Sequence, residues 1–139
     1  MADLSQNSAA VSASNLATIR REFPAGAAIA AGNVVYLDAN NRWALFDSNV
    51  GAGAGGNVAD TRGIALHNSQ NGQPLAVCER DPNFAIGATS ANGATIYGSP
   101  NAGAVTADVP TSGNYPVVLG VMISTTRINL NPTAAGVAV

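Results

Sequence analysis

The chain has no lysine, one cysteine, one histidine and few aromatic residues, and each shortage excludes a class of function. A lone thiol, Cys78, cannot close an intrachain disulfide, and a lone imidazole, His67, cannot complete a zinc centre of the usual Cys and His kind. Charged residues are only 10% of the sequence, and six arginines stand against eight acids for a net charge of −2. Arg20, Arg21, Arg42, Arg62, Arg80 and Arg127 are mostly scattered singly, whereas nucleic-acid binding draws on clustered cations that neutralise phosphates. No nucleic-acid partner is expected. No apolar run approaches the roughly 18 residues of a membrane span, and Met1 to Asn7 carries no basic region followed by an apolar stretch. Neither a membrane nor a secretion route is expected, and the protein is expected to stay in the compartment where it is made.

What the chain does have is small apolar residues. Hydrophobic residues make up 47% of it, mostly Ala and Val, with 15 glycines. Such segments are thin and pack closely, which favours short strands and turns over long helices. A chain of 139 residues is long enough to bury a sufficient core without metals or disulfides. The fold class expected is mainly β, a small single-domain β-barrel or β-sandwich of short antiparallel strands with an extended N-terminal arm.

The first 22 residues are rich in Ser, Ala and Asn without a sustained period, a composition that buries little apolar surface to offset the entropy of ordering. They are expected to form a flexible arm, with a short helix near Leu16 to Arg21 weakly signalled, and residues 23–139 to form the β domain. Gly32 to Asp38 reads as a β-branched and aromatic strand, Ala39-Asn40-Asn41 as a turn that tolerates positive φ, and Arg42 to Asp47 as the returning strand. Thr61 to Leu66 and Pro74 to Glu79 form a further pair around the turn signal Asn71-Gly72. The same grammar returns in Asn92 to Tyr97, the turn Pro100 to Gly103 and Ala104 to Ala107. Tyr115 to Ile123 reads as one strand in which Gly120 marks a bulge or close approach, and Thr126 to Leu130 alternates until Pro132 stops it. Gly32 to Tyr36 and Gly93 to Tyr97 share a Gly-x-x-x-Tyr frame, which a duplicated hairpin or a chance match in a Gly- and Val-rich chain would both produce.

Groups that could carry chemistry are sparse. Gly51 to Gly56 contains a Gly-x-Gly-x-x-Gly spacing, but no helix-forming segment follows it and no acid stands about twenty residues on, so a mobile loop is expected rather than a nucleotide site. Cys78 and His67 could form a thiolate dyad, but Cys78 alternates into a strand like a core residue. Glu79 and Asp81 are too close in sequence to flank a sugar convincingly. Asp38, Asp47, Asp60 and Asp108 sit where Asp usually bonds nearby turn amides. No catalytic residue, metal site or cofactor is expected. Arg20-Arg21-Glu22-Phe23 is the densest charged cluster and stands where arm meets domain, suited either to docking or to a solvated hinge.

Taken in order, Ala31 to Asp38, Arg62 to Leu66, Gly72 to Val77, Gly87-Ala88-Thr89, Gly93 to Tyr97, Ala102-Gly103, the turn from Asp108 to Gly113, Val118 to Val121 and Ala135 to Ala138 resemble the small decoration, or cement, proteins of tailed-phage capsids. No single motif is specific; the ordered set carries the likeness, over about residues 27–138. The resemblance implies a non-enzymatic virion protein on the outer capsid surface, made in the host bacterial cytoplasm, which clamps neighbouring major capsid proteins. It also implies a homotrimer at threefold or quasi-threefold positions. The arm is expected to clamp through Leu4, Val11, Leu16, Ile19, Arg20, Arg21 and Phe23. The alternative is a β module of a head fibre or tail that recognises a host glycan, with Trp43, Tyr97 and Tyr115 as candidate sugar contacts.

Overall fold

Asp38 builds the first hairpin: its carboxylate accepts the backbone N–H groups of Asn40 and Arg42 at 2.9 and 3.0 Å, while Asn41 takes a φ of 57°. This turn joins β3 (Val34–Leu37) to β4 (Trp43–Leu45), with Leu37 opposite Trp43 and Val35 opposite Leu45. The computed structural model describes residues 3–48, 61–111 and 113–134. The remaining strands are β1 (Val11–Ser12), β2 (Thr18–Arg20), β5 (Arg62–Ala65), β6 (Val77–Ile86), β7 (Thr95–Gly98), β8 (Val105–Thr106), β9 (Val117–Met122) and β10 (Arg127–Ala134). The protein is mainly β, a single curled antiparallel sheet that forms a half-barrel. Among the described residues no helix is long and apolar enough to cross a membrane.

The sheet order is β4-β3-β5-β6-β10-β9-β7-β8, which reads as two equivalent halves meeting at the β6 and β10 pair. In each half a hairpin is followed by a strand that pairs with the hairpin's first strand, and then by a longer strand. The two Gly-x-x-x-Tyr frames fall on β3 and β7, which hold equivalent places. The end strands β4 and β8 form no ladder with each other. Instead Gly103 N–H donates to the Phe46 carbonyl at 2.8 Å, Ser48 N–H to the Ser99 carbonyl at 3.2 Å, and Val34 N–H to the Gly103 carbonyl at 2.9 Å. Gly120 is the close approach that its position in the strand implies, since a Cβ there would stand 2.0 Å from the Asn129 carbonyl oxygen.

Val34, Ile64 and Cys78 lie side by side on β3, β5 and β6 and point into the main core with Phe46, Phe84, Ile96, Leu119, Ile128 and Leu130. Each such fully buried aliphatic side chain contributes about 1.5–3 kcal/mol. The outer face of the same strands is also buried. Val35, Ala65, Val77 and Trp43 pack beneath Ala25, Ile29 and Leu75, and the covering segment is tied down by bridges of Pro24 to Pro74, Ala25 to Trp43 and Ile29 to Ser69.

Three sequence expectations are corrected. Residues 3–20, expected as a flexible arm, run along β6: Val11 and Ser12 pair with Ile86 and Ala85, and Ile19 and Arg20 pair with Cys78 and Val77. Composition misleads here because the segment is held by backbone pairing and polar clasps more than by its own apolar surface. The helix near Leu16 to Arg21 is instead β2, because the Thr18-Ile19-Arg20 backbone is committed to β6. Pro132, expected to stop the last strand, lies inside it. Pro82 sits in β6 and Pro132 in β10, each beside a register shift where the ladder needs no donor.

Candidate docking surface

The residues expected to anchor a partner divide sharply in their environment. Leu4 is half-buried against the main core, with its N–H donating to the Val105 carbonyl at 2.8 Å, and Val11 is buried in that core. Ile19 is half-buried opposite Cys78, and Phe23 packs against the outer cluster. These four side chains serve the fold and do not wait for a partner. Leu16, at 69% exposure, and Arg21 remain at the surface. Arg21 stands over a cleft bordered by Leu66, His67 and Leu75.

Arg20 is the best-organised of the group. Its Nε donates to Glu79 Oε1 at 3.0 Å and its Nη1 to Glu22 Oε1 at 3.1 Å, and its guanidinium carbon lies 6.0 Å from the centre of the Phe23 ring. The hydrogen bond and charge of Glu79 push the Arg20 pKa upward, so the group stays a fixed cation. Both pairs are partly exposed, and pairs of this kind add only about 0–1 kcal/mol to stability. Their effect is to hold the guanidinium in one place. It then borders a groove of roughly 310 Å³ with Thr18, Arg62, Glu79, Arg80 and Asn131. In the sequence Glu79 reads as a strand end and a weak sugar-acid candidate and Arg80 as one of the scattered arginines; no spacing brings Arg62 and Arg80 beside Arg20.

Three clasps fix the N-terminal residues that lead to Arg20. Asp3 accepts hydrogen bonds from Ser99 Oγ and from Asn101 Nδ2, the latter at 2.7 Å. Gln6 Nε2 donates to the Gly32 and Ile86 carbonyls at 3.0 and 2.9 Å. Ser14 donates its N–H to Asp81 Oδ2 at 2.6 Å and its hydroxyl to Asp81 Oδ1. Burial acts to raise the Asp81 pKa, but the two Ser14 bonds, the Asn83 N–H and the Arg127 charge outweigh it and hold the carboxyl below its usual range. Gly87, at a φ of 75°, completes the seat, since a Cβ there would come within 2.6 Å of the Asn7 carbonyl oxygen.

The residues considered for catalysis are occupied otherwise. Burial and the nearby Asp81 charge push the Cys78 thiol up to about 12, and the side chain belongs to the core. His67 accepts the Ala76 N–H on Nε2 at 3.0 Å and sets Nδ1 3.1 Å from the Asn68 carbonyl, which fits the neutral tautomer with its proton on Nδ1. Glu79 is committed to Arg20 and Asp81 to Ser14. Among the described residues no cluster of His, Cys, Asp or Glu could hold a metal ion. Gly51 to Gly56 and Asp60 lie outside the described residues.

The chain matches no protein-family model and no curated protein. The functional reading therefore stands on the residues themselves. Of the three aromatic residues considered as sugar contacts, Trp43 is fully buried in the outer cluster and cannot present a stacking face, whereas Tyr97 and Tyr115 are half-buried.

Proposed function

We propose that this chain is a structural, non-enzymatic decoration protein that binds the outer surface of a tailed-phage capsid and clamps neighbouring major capsid proteins. In this reading it acts as a homotrimer at threefold or quasi-threefold positions of the virion, without nucleic acid, membrane or cofactor. The observation that carries the reading is where the resembling segments fall. Ala31 to Asp38, Arg62 to Leu66 and Gly72 to Val77 supply or lead into the neighbours β3, β5 and β6, and Gly93 to Tyr97 and Val118 to Val121 supply or lead into the neighbours β7 and β9. The resemblance thus follows the framework of the half-barrel and not its loops alone.

Such a role needs no strong single bond. Many copies on a lattice, each making modest contacts, resist outward pressure together because every neighbour constrains the next. The contact surface in this proposal is the exposed remainder of the N-terminal cluster, Leu16 and Arg21, together with the arginine-lined groove beside Arg20. Cosedimentation of the purified protein with expanded and unexpanded shells of the phage that encodes it tests the role. Saturable binding to expanded shells at a fixed ratio to the capsid protein is expected. Absence of binding to either shell overturns the proposal.

A further inference from the structure

Half of the chain's positive charge meets at one place in the sheet. β6 pairs with β5 at Val77 and Cys78 and with β10 at Asp81, Phe84 and Ala85, so neither ladder reaches Glu79 and Arg80. The groove opens at this fork and is bordered by Arg20, Arg62 and Arg80, three of the six arginines, with Glu79 as its one acid among the described residues. Thr18 and Asn131 add hydrogen-bonding side chains at its edge.

We propose that this groove binds carboxylates of an acidic segment on a protein partner; resting on the capsid-docking reading, it supplies the charged contact of that docking. Arg20 is pre-organised for this, because Glu79 and Glu22 engage its Nε and Nη1 and leave further N–H donors of the guanidinium to point elsewhere. Arg80 is exposed on β6 and makes no ion pair among the described residues. Arg62 already interacts within the chain, so the binding rests on Arg20 and Arg80. Guanidinium groups match carboxylates in planar, two-bonded geometry, which an ordered fork exploits at little entropic cost.

The acids select among anions. Glu79 inside the groove and Glu22 at Arg20 leave no row of uncompensated cations such as a polyphosphate needs, whereas each carboxylate of a peptide needs only one planar guanidinium fork, which Arg80 and the outer edge of Arg20 present. The overall charge of −2 opposes nucleic acid in the same way. A carboxylate-bearing peptide is therefore the favoured ligand over a phosphate-bearing one.

The test is an NMR titration of the full chain with a blocked hexapeptide of alternating Asp and Glu, and separately with inorganic phosphate, following the arginine Nε–H signals. Saturable shifts confined to Arg20, Arg62 and Arg80 are expected, with binding about tenfold weaker in Arg80→Gln, as for loss of one charge-assisted hydrogen bond. Arg42→Gln, outside the groove, leaves the affinity unchanged. Equal shifts at Arg42 and Arg127, unchanged binding by Arg80→Gln, or phosphate binding as tightly as the peptide overturns the proposal. Cosedimentation with shells separates the two readings. Shell binding by a wild-type protein that shows no groove shifts overturns the groove alone, whereas groove shifts in a protein that binds no shell uphold the carboxylate site and overturn the docking role.

Discussion

The two halves of the sheet share one connectivity but differ on their outer faces. On β3, β5 and β6 the outward residues are Val35, Ala65 and Val77, all fully buried beneath Ala25, Ile29 and Leu75. On β9 and β10, Val121 is 44% exposed and lies opposite Asn129, and Val118 lies opposite Thr133. An outward face can be wholly apolar only where a second layer covers it; otherwise polar partners must alternate with the apolar ones. The second layer comes from the N-terminal part of the chain. Residues 3–20, which read as an appendage, seal the long edge of β6, while residues 23–31 together with Leu75 cover the outer face and make the first half three layers thick.

The sharpest way to break the comparison is to place a charge on each outer face. Val77→Asp sets an unpaired carboxylate under the cover and is expected to cost about 3–5 kcal/mol, read as a lower urea midpoint. Truncating the cover itself comes next. Ile29→Ala, at a site 3% exposed, is expected to cost about 2–5 kcal/mol in the same measurement. Ser14→Ala takes the hydroxyl hydrogen bond from the buried Asp81 carboxylate, leaving the backbone N–H bond in place, and is expected to cost about 1–3 kcal/mol.

The Ser14 variant also carries a pH signature. Because the folded Asp81 pKa lies below its unfolded value, its contribution is full above the ordinary carboxylate range and disappears as pH falls through the folded value. Acid below about pH 4 is therefore expected to loosen the N-terminal strands. In Ser14→Ala the burial remains but the hydroxyl bond, the largest lowering influence, is gone, so the Asp81 pKa rises and loosening begins at higher pH, which circular dichroism during an acid titration detects. The smallest effect belongs to the bare half. Val121→Asp is expected to change stability by no more than about 0.5 kcal/mol, and an effect comparable to that of Val77→Asp would erase the distinction between the halves.

The framework strands were legible because their signals are local. Asn40-Asn41 and Asn71-Gly72 mark turns through backbone geometry, and β-branched runs between them form ladders whatever lies at a distance. The N-terminal strands were not, because what holds them is far away: Gln6 reaches Ile86 and Ser14 reaches Asp81, contacts that no window of sequence contains. Leu4, Val11 and Ile19 stood out as apolar anchors, but their partner proved to be the domain's own sheet. The groove was invisible for the same reason, since Arg20, Arg62 and Arg80 meet only after β2, β5 and β6 are assembled.

The claim that the N-terminal residues are part of the fold is tested most directly by native-state hydrogen exchange of the intact protein. The Asn7 N–H bonds the Gly87 carbonyl at 2.6 Å, the Ser14 N–H bonds Asp81 and the Ile29 N–H bonds the Ser69 carbonyl at 2.8 Å. These three amides are expected to exchange far more slowly than an unfolded chain, though faster than the core amides of Val34 and Met122. Exchange of Asn7 and Ser14 at unfolded-chain rates, with Val34 and Met122 still protected, would contradict the account and return residues 3–20 to the role of a free arm.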